Sequence, residues 1–182
     1  MYFYGKILFE GKIIEKKFAD DLIKNCGGTI IESSVKDDIK KHIDLWYVSS
    51  DNKKVSFDVK GLRKNKRNDK SFSFENTWLE LKNVKGENGS LMGEQDYIAF
   101  EHIDKWYITR RKVIYEKICE KILDKTVYNY NPNQDYKLYQ RKGRKDLIVR
   151  VPMSFIIENT CKIINKTWLF MKNNYFIIKN FK

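Results

Sequence analysis

Residues 42–61, HIDLWYVSSDNKKVSFDVKG, leave little choice of local structure. Ile43, Leu45 and Tyr47, then Val55, Phe57 and Val59, alternate with polar neighbours, and Ser49-Ser50-Asp51-Asn52 between them is turn chemistry. The pattern predicts a β-hairpin. It also fixes where the charges go, because residues two apart in a strand share a face: Asp58 and Lys60 point the same way, and pairing across the turn carries Asp44 towards them. Two carboxylates and an ammonium converging on one point suit a hard divalent cation bound to a phosphate.

The flanks support a sheet-forming domain. Upstream, Ile13, Ile14, Phe18, Ala19, Leu22 and Ile23 recur at helical spacing and Gly27-Gly28 supplies a stop, so a helix is expected over residues 11–25, with Glu15 on it. A short β-branched strand over residues 29–33 and a charged connection over residues 35–41 lead into the hairpin. Downstream, LRKNKRNDKSFSFEN has no apolar period; Arg63, Lys64, Lys66, Arg67 and Lys70 form a basic loop suited to backbone phosphates, with Phe72 and Phe74 placed to stack on bases. TWLELKNV then reads as a strand that repeats the acid-x-lysine spacing as Glu80-x-Lys82. That repeat is a rival assignment, in which Asp58 is the lone first acid and Glu80 and Lys82 make the motif. Glu80 or Asp96 is alternatively an extra carboxylate on the face of Asp58. Residues 85–95 are turn-forming, residues 96–109 make a second hairpin, and residues 111–125 an amphipathic helix.

Composition narrows the partners. Lys and Arg number 36 against 24 Asp and Glu, a formal charge of +12 that favours a polyanion, nucleic acid first. Two histidines, His42 and His102, are too few for His-ligated zinc or two-histidine acid–base chemistry, so carboxylates carry any catalysis. Cys26, Cys119 and Cys161 fall in no CxxC pair, which fits a reducing compartment; no stretch matches a leader or a membrane span, so a cytoplasmic protein without a membrane partner is expected.

The C-terminal part divides from the core at residue 125, giving a core over 1–125 and an extension over 126–182. The extension carries a second basic cluster, Arg141, Lys142, Arg144 and Lys145, a strand over residues 146–151, and a long final helix opened by Pro152 and bearing Phe155, Ile156, Ile157, Ile163 and Ile164 on towards Trp168. That apolar surface either closes the core or forms a dimer interface.

A helix followed by strands carrying D…(D/E)xK resembles the PD-(D/E)XK nuclease superfamily, here through Asp44 in HIDLWYV and Asp58-Val59-Lys60-Gly61 in VSFDVKG. The chain looks most like its small phage and archaeal Holliday-junction-resolvase-type members. The resemblance implies an α/β fold with a restriction-endonuclease-like mixed central sheet flanked by helices, an αβββαβ core, followed by a C-terminal α/β extension. It also implies a Mg²⁺- or Mn²⁺-dependent DNA endonuclease acting on branched DNA as a homodimer, with Glu15 completing the site. On chemistry alone, Asp44 and Asp58, with the Val59 carbonyl and Glu15, would hold the cation, and Lys60 would orient water or neutralise charge. The alternative is a nucleic-acid-binding module on the same fold that does not cleave.

Overall fold

The computed structural model describes residues 2–62, 72–130 and 133–167. The apolar spacing ahead of the twin glycines is realised as α1, Tyr2–Cys26, which starts well before residue 11. Gly27 and Gly28 both take positive φ, 69° and 78°, and end the helix; a Cβ on Gly28 would run into the Val48 carbonyl oxygen.

β1, Thr29–Glu32, comes next. The charged connection over residues 35–41 is itself a helix, α2, Val35–Lys41. Ser34 caps it, its Oγ accepting the Asp37 N–H at 3.1 Å, and acids in its first turn with lysines in its last suit the helix dipole. No residue of α2 is buried, so no apolar period announces it. The hairpin then forms as expected from β2, Leu45–Val48, and β3, Lys54–Lys60, with Leu45 opposite Phe57 and Tyr47 opposite Val55.

The described part of the next crossing holds β4, Asn76–Lys82, and a 3-10 turn, Ser90–Met92. The chain returns to the hairpin as β5, Tyr97–Glu101, parallel to β3, then β6, Lys105–Arg110, and α3, Arg111–Lys121. Two short strands follow, β7, Val127–Tyr128, and β8, Leu138–Tyr139, then β9, Leu147–Pro152. The expected long final helix needs correction: α4, Met153–Glu158, is short, and Ile163 and Ile164 lie on β10, Thr160–Asn165. Here the β-branched residues follow strand alternation, Ile164 buried and Ile163 exposed.

The result is a mixed α/β protein with two mixed sheets, ordered β1-β2-β3-β5-β6-β10 and β4-β9-β8-β7. Residues after 125 supply strands to both. The central strands of the six-stranded sheet, β3, β5 and β6, are buried on both faces, and its edges β1 and β10 are largely exposed. Against one face α1 lays Phe18 and Leu22 over Leu45, Phe57, Ala99 and Trp106; between the sheets Ile98 and Phe100 meet Leu79, Val149, Val151 and Ile156. Each buried aliphatic or aromatic side chain contributes about 1.5–3 kcal/mol. The end of α1 is tied to the end of β10: Asn25 and Asn165 bond reciprocally through side chain and backbone, and Asp21 accepts from Trp106 Nε1 at 2.8 Å and from the Thr167 N–H at 2.6 Å. Among the described residues no helix is long and apolar enough to cross a membrane.

Candidate active site

Alternation along β3 sends Phe57 and Val59 to the α1 face and Ser56, Asp58 and Lys60 to the opposite one, where Asp58 lies beside Ile98 and Lys60 beside Phe100. A carboxylate in this row is costly unless it is compensated. Asp58 is only 4% exposed; Lys60 Nζ donates to its Oδ1 at 2.8 Å, and its buried Oδ2 has no hydrogen-bond partner. One oxygen of a buried carboxylate is therefore available.

Asp44 arrives as the hairpin demands. Its N–H donates to the Phe57 carbonyl, which continues the ladder one step past β2, and its Oδ2 accepts the Val59 N–H at 2.6 Å. In an extended strand the N–H and C=O of one residue point to the same side, so the Val59 carbonyl also points to the edge of β3 that Asp44 occupies. Burial first, and then the negative charge of Asp58, push the Asp44 carboxyl well above the usual carboxylate range, against the pull of Lys60 and the Val59 N–H. Two carboxylates this close favour a shared cation or a retained proton.

Glu15 lines the same cleft as Asp44, a cavity of about 710 Å³ between α1 and the β1–α2 segment, and its charge is felt at Asp44. Lys12, which sequence reasoning passed over, holds Glu15 at 2.6 Å and reaches Asp38 of α2 at 3.7 Å. Its signal was the three-residue spacing to Glu15 on a helix. Gly61 allows α1 to come this near, since a Cβ there would run into Ile14. Glu101 is a second residue missed. Its carboxylate accepts the Leu62 N–H at 3.1 Å and the Lys166 ammonium at 2.8 Å, and so holds the backbone just beyond Lys60.

The remaining candidates fall elsewhere. Glu80 and Lys82 lie on β4 in the other sheet; Leu79 beside them packs into the inter-sheet core, so Glu80 sits on the outward face with Trp78. Asp96 accepts from both the backbone N–H and the hydroxyl of Ser56, clamping β5 to β3. Arg141 is bonded to the fully buried Asp146, leaving Lys142, Arg144 and Lys145 as the exposed cations of that cluster. Arg63, Lys64, Lys66, Arg67 and Lys70 lie outside the described residues, as does Trp168.

Among the described residues no group of three or more His, Cys, Asp or Glu is gathered in a metal-binding arrangement. The donor set here is two carboxylates and a backbone carbonyl on an open edge, oxygens of the kind Mg²⁺ combines with retained waters. With the unpartnered Asp58 Oδ2, these residues fit a hard divalent cation. No family model, curated protein or solved structure matches this chain.

Proposed function

We propose that this protein is a Mg²⁺- or Mn²⁺-dependent DNA endonuclease with a restriction-endonuclease-like core. The observation that carries the reading is the buried Asp58 carboxylate, with one oxygen held by Lys60, the other unpartnered, and the Asp44 carboxyl beside it pushed well above the usual carboxylate range. Most buried carboxylate oxygens are hydrogen-bonded, so an unpartnered one beside a second acid is a candidate cation ligand. The element order agrees with the reading: α1, then β1, β2 and β3 in antiparallel succession, then a crossing to β5 parallel to β3. It departs in two respects. The helix α2 stands between β1 and β2. The described part of that crossing carries β4 and a 3-10 turn where the αβββαβ core has a helix.

Asp44, Asp58 and the Val59 carbonyl would hold the cation, with Glu15 facing it across the cleft. Bound there, the ion supplies Lewis-acid stabilisation of the phosphate and a more acidic water. Lys60 stands ready to move from Asp58 to the developing negative charge or to the attacking water, since cation binding takes over neutralisation of the carboxylate. Glu101 fixes the strand end on which Lys60 is mounted. The DNA backbone would be met by the basic segment of residues 63–70 and by Lys142, Arg144 and Lys145. Branched DNA is the proposed substrate, and a two-fold-symmetric junction needs two such sites, hence a homodimer.

The test is incubation with four-way-junction, flap, duplex and single-stranded DNA, with Mg²⁺ or EDTA, using wild type and Asp58→Ala. Metal-dependent cleavage lost in the variant supports the assignment; cleavage that survives it would falsify the site. Binding that weakens steeply with salt, without cleavage of any substrate, makes the protein a non-cleaving nucleic-acid module instead.

A further inference from the structure

The α1 face of the large sheet carries a second cavity, of about 260 Å³, between Leu22 of α1 and the strands β2, β3, β5, β6 and β10. Its lining contains no acid, in contrast to the cleft at Asp44. The pairing register explains how it is built. Phe57 of β3 lies opposite Tyr97 of β5, and Tyr97 opposite Arg110 of β6, so two rings and a guanidinium stand in one row across three adjacent strands. Neighbouring strands are about 4.8 Å apart, which brings each member of the row against the next; the Phe57 and Tyr97 rings stack with centroids 5.2–5.4 Å from their aromatic neighbours, 5.4 Å from one another. A second row adds the other wall. Ile108 of β6 lies opposite Lys162 of β10, where a register shift between Thr160 and Lys162 breaks the regular ladder, and Tyr47 of β2 stands across from them.

Neither cation is neutralised by an acid. Among the described residues no ion pair joins Arg110 or Lys162 to a carboxylate; Lys162 stands among the Cys26 thiol, the Tyr47 hydroxyl and the Cys161 thiol, and Arg110 beside Cys161. Two uncompensated cations at the rim of an aromatic-walled pocket select a ligand with a flat π-system at one end and an anion at the other. The size suits one nucleotide, and aromatic rings accept any base because every base has a π-face.

We propose that this pocket binds a single unpaired nucleotide, the base against the Tyr97 and Tyr47 rings and the phosphate on Arg110 and Lys162. The choice of a nucleotide among aromatic anions rests on the nuclease reading; the cavity and its charges do not. Phe57 and Asp58 are adjacent on β3 but face opposite sides of the sheet, so the bound nucleotide is not the one being cleaved. Its source is either a free mononucleotide or the 5′-phosphorylated end of a strand.

Calorimetric titration of the full chain in EDTA tests this without any cleavage. dAMP and dTMP should bind saturably; adenosine, inorganic phosphate and octyl phosphate should bind about tenfold more weakly or not at all. Arg110→Ala and Lys162→Ala, both on exposed residues, should each weaken dAMP binding about tenfold, and Tyr97→Leu should weaken it while keeping apolar volume. Asp58→Ala should bind dAMP as wild type does, which separates this site from the catalytic reading. A hairpin duplex with one 5′-phosphorylated overhanging nucleotide that displaces dAMP identifies a strand end as the source; failure to displace it identifies the free nucleotide. Absence of saturable binding, equal binding of octyl phosphate, or unchanged affinity in folded Arg110→Ala and Lys162→Ala overturns the proposal.

Discussion

Asp58-x-Lys60 and Glu80-x-Lys82 are the same local word in two sheets. Both are an acid and a lysine two apart on a strand, yet only Asp58 is buried with a second carboxylate beside it. β3 is central, paired on both sides, and Asp58 sits under it with Asp44 delivered by the hairpin partner. β4 is the edge of the smaller sheet, Glu80 is on its outer face and Lys82 is exposed. The difference teaches that spacing gives a shared face and nothing more; what makes chemistry is a second strand that brings another carboxylate to that face and a core that keeps water off it.

Four experiments probe this contrast. Asp58→Ala should lower Mg²⁺-dependent cleavage by about 10³-fold, whereas Glu80→Ala should change it by less than about twofold; the reverse ranking, measured by single-turnover kinetics, transfers the site to β4. Lys60→Ala should cost about 10²-fold and Lys82→Ala nothing comparable, read in the same assay. Saturating Mg²⁺, at about a hundred times its dissociation constant, should stabilise wild type by about 2.7 kcal/mol and leave Asp58→Ala unmoved in a thermal melt, while Glu80→Ala responds as wild type does.

The fourth is smaller and concerns Asp44. Its folded pKa is raised above the unfolded value, so the folded protein holds the proton more tightly. Stability from this group is present at low pH and is lost as the pH climbs from the ordinary carboxylate range through the raised folded value, because ionising Asp44 in its buried place beside Asp58 is a cost. Asp44→Asn should therefore raise the metal-free melting temperature by a few degrees, remove the Mg²⁺ response and flatten the pH dependence of the melt. A variant less stable than wild type in EDTA contradicts the proposed repulsion.

Much of this was legible in the chain. The hairpin register, the faces of Asp58 and Lys60 and the approach of Asp44 follow from alternation and one tight turn, because all are local. α2 escaped because a short helix that buries nothing has no apolar period, although Ser34 and Asp37 carried its capping signal. β10 escaped because Ile163 and Ile164 follow a short helix directly, and only pairing with β6 makes them a strand. Arg141 read as a free cation since its partner Asp146 looked like the start of the next strand. Of the row Phe57, Tyr97, Arg110, the last two meet across the hairpin expected over residues 96–109, whereas Phe57 joins them only through a parallel crossing that no local pattern announces.

The knot of bonds between α1 and the end of β10 has a temporal meaning. Asp21 and Asn25 emerge early in synthesis, but their partners Asn165 and Thr167 lie 140 and 146 residues further on. The hairpin can pair as soon as it is made, whereas the helix that covers it gains its Asp21–Trp106 bond with β6 and its last anchors only after β10 has been added. Contacts of such sequence separation slow folding, so a nascent chain whose hairpin has paired, bringing Asp44 beside Asp58, would carry an incomplete sheet until β10 is made. Premature termination before residue 165 would leave that sheet uncapped and prone to pairing with strands of other chains.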